Sequence, residues 1–283
     1  MKPVMEIIKK RKSIRTYESK KLSEEDCSKV KEYISNRENR IGPFGEEIRL
    51  ELIISDENES GKGLKIGTYG IIVNPQAYIA GCVYNTPQNM VEFGYVMEKM
   101  ILFLTGLGLG TCWLGGTFDR KTLNTEIIME DGQIIPSITP VGYPKDREGI
   151  KQRAMRFMVK ADQRLPWEEL FYIGDFSNSI SQEMEGILSE PLEMVRLGPS
   201  ASNKQPWRVI VSEDKREYAF YLRRTPNYAG NAMGFDMQRI DMGIAMCHFQ
   251  LSCHEMGING EWAMDPLMKN FQSSEYISSF RLV

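Results

Sequence analysis

The strongest constraint in this sequence is a motif that occurs twice at a constant offset. Glu92-x-Gly94 … Leu102 … Gly108 … Trp113 returns as Asp241-x-Gly243 … Leu251 … Gly257 … Trp262, and each pair lies 149 positions apart (241 − 92, 262 − 113). An ungapped offset predicts the same helix-and-turn unit in two related halves, residues 1–160 and 161–283. The surroundings are unequal: Gly106–Gly116 reads GLGLGTCWLGG, whereas Glu255–Ala263 reads EMGINGEWA. This inequality points to one working site built from both halves, with the second copy kept mainly to complete the fold.

Local patterns sketch the elements around the repeat. Pro3 followed by Val4, Ile7 and Ile8 reads as a short amphipathic helix. Ser23-Glu24-Glu25-Asp26 is a capping-box-like start ahead of Cys27, Val30 and Ile34. Ile48–Ile54 alternates as a strand does, and Ile71–Val73 and Ala77–Ala80 read as short strands around an Asn-Pro turn. From Gln88 to Thr105 the apolar side chains fall on one helical face, and Ile135–Val141 returns to strand. In the second half the same order recurs. A helical start is expected near Trp167–Tyr172 and a helix over Ser181–Leu188. Strands are expected at Arg208–Ser212 and Glu217–Leu222, and the repeated helix from about Arg239 to Met256. Strands and helices mixed in this order predict an α+β fold with mixed, mainly antiparallel sheets.

Composition limits the function classes. The 283 residues are 42% apolar and 26% charged, as in soluble globular chains, and the net charge is −3. That balance argues against nucleic acid as a partner. Five scattered cysteines and two histidines give neither a disulfide framework nor zinc-site spacing, so no metal is expected and a cytoplasmic setting is. The uncharged run Ile66–Val91 is interrupted by Asn74-Pro75-Gln76 and by Asn85-Thr86-Pro87-Gln88, which excludes a membrane span.

Four constellations are candidates for chemistry. Arg11-Lys12-Ser13-Ile14-Arg15 suits a phosphate, since guanidinium forks bind it bidentately; a solvated basic surface is the plainer reading. Pro199–Trp207 (PSASNKQPW) offers Asn203 and Gln205 amides for a heterocycle edge and Trp207 as an apolar wall, or is a turn before a strand. GLGLGTCWLGG fits neither a dinucleotide-binding turn nor a P-loop. Its glycines suit close approach to a flat ligand, and in part a helix C-cap. Lys151-Gln152-Arg153 puts alternating cations on one side of an extended segment, or is a solvated linker. His248 and His254 fall on what reads as a polar helical face, where exposure is expected. Cys112, Met97 and Met100 read as packing.

Together the four segments resemble the FMN-dependent nitroreductase family. That resemblance implies that Arg11, Lys12, Ser13 and Arg15 hold the FMN phosphate, with Arg15 reaching the N1/O2 side of the flavin. It implies further phosphate contacts from Lys151 and Arg153, and a place near flavin N5 for Leu114, Gly115 and Gly116. Asn203 is assigned the pyrimidine edge, with Pro199, Ser200 and Ala201 beside the ring. Here the basic signature occurs only in the first half and the Asn-bearing loop only in the second. The corresponding places read Gly42-Pro43-Phe44-Gly45 and Phe171-Tyr172-Ile173-Gly174-Asp175. The chain therefore resembles a fused pseudo-dimer: a monomer, or a weak homo-oligomer, with one composite flavin site.

The implied activity is a two-step oxidoreductase in which NAD(P)H reduces FMN and a small-molecule nitroaromatic, quinone or similar acceptor is then reduced. No catalytic side chain is needed, because a flavin carries the chemistry and the protein positions and tunes it. A flavin-binding or regulatory protein, and another flavin reaction such as dehalogenation, are the competing readings.

Overall fold

A computed structural model describes residues 3–55, 66–145, 163–226, 228, 233–265, 268, 270–271 and 273–283. Two long helices form its centre: α3 (Pro87–Gly106) and α8 (Met237–Glu255), which carry the two copies of the repeated motif. Each begins at a capped N-terminus. Thr86 accepts from the Asn89 amide in α3, and Asp236 accepts from the Gln238 and Arg239 amides in α8. The apolar residues of both helices, among them Phe93, Met97, Met100, Met242, Met246 and Phe249, share one core that reaches both sheets.

Ahead of α3 lie α1 (Val4–Lys10) and α2 (Glu24–Ser35), the latter capped by Ser23, whose side chain accepts from the Asp26 amide as the capping signature predicts. The first sheet holds β1 (Arg49–Ile54), β2 (Ala77–Tyr84), β3 (Gln133–Ile134) and β4 (Ile138–Val141), all paired antiparallel through β2. Helix α4 (Arg120–Glu126) connects α3 to β3. In the second half follow α5 (Trp167–Leu170), β5 (Phe171–Ile173), α6 (Gln182–Glu185) and α7 (Ser189–Leu197). A five-stranded sheet runs in the order β5, β6 (Trp207–Val211), β7 (Glu217–Arg223), β9 (Ser274–Leu282), β8 (Gly260–Ala263), with only β5 and β6 parallel. This is the α+β arrangement expected from the order of patterns. No helix among the described residues is long and apolar enough to cross a membrane.

Several local expectations are corrected. Ile71–Val73 is not a strand: Val73 makes a single bridge to Thr16, between left-handed Tyr69 and Asn74. The segment 181–188 is not one helix, because Gly186 (φ 76°) ends α6 and a 3-10 turn precedes α7. Trp262, expected in a turn copy, lies in β8 paired to Phe280 of β9, whereas its counterpart Trp113 follows isolated bridges.

Candidate active site

After α1 the chain runs extended beside the turn that leaves α3. Ser13 bridges Thr111, and the Ile14 amide donates to the Thr111 carbonyl at 2.7 Å. Gly110 makes this approach possible, since a Cβ there would meet Ile14 Cβ at 2.9 Å. The Gly110 amide in turn donates to the Gly142 carbonyl at 2.8 Å, so the basic segment is fixed to the strand end after β4.

Past Trp113 the backbone is held to β4 by a reciprocal pair. The Leu114 amide donates to the Ile138 carbonyl at 2.9 Å, and the Ile138 amide returns to the Leu114 carbonyl at 3.1 Å. Ser137 Oγ donates to the same Leu114 carbonyl at 2.8 Å, and Arg120 donates to the carbonyls of Gly115 and Pro136. Residues 114–116 thus form a braced wall rather than a loose loop.

The opposing wall comes from the second half. Pro199–Gln205 turns through three left-handed non-glycine residues, Ser202 (φ 50°), Asn203 (φ 54°) and Gln205 (φ 48°). Such a run persists only where the surroundings fix it. Here Asp241 Oδ1 accepts from the Ala201 amide at 2.8 Å, Ser200 Oγ accepts from the Gln205 amide at 2.8 Å, and Gln205 Oε1 accepts from the Leu165 amide at 2.9 Å.

Between these walls lies a cavity of about 450 Å³, within the size range of cofactor and small-molecule sites. Arg11, Ser13, Arg15, Leu114, Gly115, Gly116, Pro199, Ser200, Ala201 and Asn203 all line it. Of the thirteen residues expected at a cofactor, Lys12 is not in the wall, and Lys151 and Arg153 lie outside the described residues. Trp207 is also absent from the wall: it is fully buried in the core beneath the loop. The Asn203 amide does not point at an open edge, because its Nδ2 donates to the Gln163 carbonyl at 2.9 Å.

Other wall residues went unpredicted. Arg164 joins the Asn203 side, and Phe235, Met237, Ile240, Asp241 and Ile244 bring the start of α8 into the cavity. The second copy of the repeat is therefore part of the site, not only scaffold. The acidic position of the motif was the legible signal for Asp241; Arg164 had none, standing at the end of a basic stretch without a pattern.

The charges sort by burial. Asp241 is 2% exposed, and burial pushes its carboxyl well above the usual range despite the Ala201 amide. Its Oδ2 has no hydrogen-bond partner among the described residues. Burial alone would raise Glu98, but hydrogen bonds from His248 and Trp113 and the nearby charge of Arg11 hold it below the ordinary carboxylate range. Cys112 is buried with its thiol pushed up, which agrees with packing and not with an activated thiolate. His248, expected at the surface, is fully buried in the interior between α3 and α7, while His254 is exposed as expected.

A family model described as "Putative TM nitroreductase" matches residues 3–253. The chain belongs to this nitroreductase family. Among solved structures, a putative nitroreductase from Thermotoga maritima matches over 99% of this chain and 92% of its own, with TM-score 0.60 and 19% identity. That likeness is one of fold over nearly the full length. A "Putative NADH dehydrogenase/NAD(P)H nitroreductase" from Archaeoglobus fulgidus is 25% identical over 180 residues, covering 59% of this chain and 100% of the relative. A Bacteroides fragilis nitroreductase with bound FMN covers 53% of this chain and 92% of its own at 17% identity, with TM-score 0.39.

Proposed function

We propose that this nitroreductase-family chain is an FMN-dependent oxidoreductase that takes electrons from NAD(P)H and passes them to a nitroaromatic, quinone or related small acceptor at one composite cavity. One observation carries the reading. Motif residues separated by nearly two hundred positions, Arg11 and Asn203 among them, line a single cavity built from both halves.

The residues present fit the group. Arg11, Ser13 and Arg15 supply two guanidinium forks and a hydroxyl, the donor set suited to a phosphate and to an electron-rich ring edge. The opposite lining is apolar, through Ile240, Ile244 and Phe235, as a flat ring requires. FMN, when bound, supplies the hydride chemistry. The chain's own part is positional and electrostatic. The braced 114–116 wall and the Asp241-held loop define the slot, and Arg15 brings a cation to its lining that would favour an anionic form of the ring. Gly115 closes against the other half, where a Cβ would meet Met237 Sδ at 3.2 Å.

The fused pseudo-dimer reading is supported by a relative matched over its whole length by 59% of this chain. It is also supported by two sheets that divide between the halves and by the paired central helices. The deciding experiment is spectroscopic: the purified chain is mixed with FMN, separated from free flavin and titrated anaerobically with NADH and with NADPH. Retained flavin that bleaches supports the oxidoreductase; failure to retain FMN overturns the reading, and retained flavin that neither nicotinamide bleaches favours a binding protein.

A further inference from the structure

At the Arg11 end of the cavity, side chains from three segments meet in a closed polar cluster. Glu98 of α3 and His248 of α8 are fully enclosed, and the Arg11 side chain is 7% exposed. Glu98 Oε1 lies 2.9 Å from His248 Nε2 and 3.8 Å from Arg11 Nε, and Oε2 accepts from the Trp113 indole at 2.7 Å. On its far side His248 Nδ1 lies 2.8 Å from the Met194 carbonyl.

Hydrogen-bond chemistry fixes the charge of this cluster. A carbonyl only accepts, so His248 Nδ1 carries a proton. The remaining ring nitrogen then faces a carboxylate oxygen at hydrogen-bond distance, and that contact also requires a proton between the two atoms. Whether it resides on Nε2 or on Oε1, the Glu98–His248 pair is neutral as a unit. Arg11 is therefore left with its full positive charge. Without His248, Glu98 would be a lone buried carboxylate, and Arg11, the cation paired with it among the described residues, would be neutralised by it.

The other half shows that the fold does not require this network. Trp262, the repeat partner of Trp113, donates its indole to the neutral amide oxygen of Gln250 at 2.8 Å. At the repeat positions of Glu98 and His248 stand Cys247 and Lys99. The ionised cluster is confined to the side that carries the cavity. Buried ion pairs contribute little to stability against apolar replacements, so a role at the cavity accounts for it better than a role in folding.

We propose that His248 shares the proton that keeps its pair with Glu98 neutral, and is thereby a positioning residue that leaves the charge of Arg11 available to an anionic group in the cavity. On the function proposed above, that group is the FMN phosphate, and the inference rests on that reading. At 3.8 Å the Glu98–Arg11 contact is an ion pair longer than a hydrogen bond.

The test compares FMN with riboflavin, which shares its ring and ribityl chain and lacks only the phosphate, by quenching of flavin fluorescence on the full chain. Wild type is expected to prefer FMN. His248→Gln is expected to lose about 10-fold to 100-fold of that preference, the worth of one charge-assisted contact, with riboflavin affinity little changed. Glu98→Gln keeps the preference, because the cluster stays at one positive charge. The double variant His248→Gln/Glu98→Gln regains it for the same reason, a rescue that a purely structural role would not give. A His248→Gln chain that still prefers FMN, or a double variant as weak as the single, overturns the inference, as does a wild type that binds both flavins equally. If His248→Gln does not fold, Glu98→Gln decides: loss of the preference there overturns it. A wild type that binds neither flavin instead sinks the FMN reading itself.

Discussion

Gly94 of α3 and Gly243 of α8 lie at the crossing of the two central helices, each against the other's backbone. A Cβ on Gly94 would stand 2.1 Å from the Ile240 carbonyl oxygen, and one on Gly243 would stand 2.0 Å from the Val91 carbonyl oxygen. The acid-x-Gly pair of the repeat is thus a two-part device. The glycine lets the halves close on one another, and the acid two residues earlier holds a loop: Glu92 accepts from the Phe44 amide at 2.7 Å, and Asp241 accepts from the Ala201 amide at 2.8 Å.

Replacing either glycine with alanine is expected to destabilise the whole chain. The obstructing atoms are backbone, so no rotamer change relieves them and the helices must separate. Overpacking of this kind costs about 1–3 kcal/mol or more, and the cost falls on the core shared by both halves. Urea denaturation of Gly94→Ala and Gly243→Ala should show midpoints lowered to a similar extent; a midpoint unchanged in either would mean the crossing is looser than described.

Glu92 gives a pH prediction with a definite sign. Burial pushes its carboxyl from the ordinary 4.5 up to about 7, against the Phe44 and Glu46 amides that favour the charged form. Between these values the folded chain keeps a proton that the unfolded chain has released. The folded state binds more protons there, so stability falls as pH rises from about 4.5 through about 7. Glu92→Gln removes the titration. Its thermal midpoint, compared with wild type across that range, should fall less steeply; an identical pH slope in both would rule out Glu92 as a contributor.

The extent to which the sequence revealed the site follows from how local each signal was. The helix start at Ser23 and the alternation around β1 are short-range patterns, and they appear where expected. The motif segments were legible because each is contiguous, and the three that lie among the described residues meet in one cavity where α3 packs against α8. His248 was misjudged because it aligns with Lys99, a polar position. Its burial depends on Glu98 from one helix and Met194 from another segment, which no periodicity encodes. Trp207 was placed in the wall for its type, but the strand β6 carries its side chain inward. The β8–β9 pair was missed since Ser274–Leu282 mixes polar and apolar residues without clean alternation, and Ser278 and Ser279, on opposite faces of the strand, are both buried.

Arg11 and Lys12 separate the site from its sequence neighbourhood. Arg11 lines the cavity and Lys12 does not, although both belong to the same basic run. Arg11→Ala should weaken FMN binding by about 10-fold to 100-fold, as expected for the loss of one charge-assisted contact. Lys12→Ala should change it far less. Equilibrium titration with FMN at fixed ionic strength checks both; equal losses would mean that the run acts as a diffuse basic surface, since screened surface charge does not distinguish neighbours.

Flavin stoichiometry tests the asymmetry from which the sequence argument began. At the place of the Asn-bearing loop, the first half has Gly42-Pro43-Phe44, closed on Glu92, where a Cβ at Gly42 would overlap the carboxylate at 1.5 Å. At the place of the basic run, the second half has Phe171-Tyr172-Ile173, which is taken up as β5 beside β6 with Phe171 fully buried. That pseudo-symmetric position therefore has an aromatic strand where the cavity has Arg11 and Arg15, and a loop without the Asn203 amide. A phosphate placed there would lose its counter-charges and face apolar side chains, a burial that is costly without paired donors. One FMN per chain is the expected result, read from flavin absorbance against protein concentration after removal of free flavin. Two per chain would show that the second half binds without a basic run, and would overturn the single composite site while leaving the family intact.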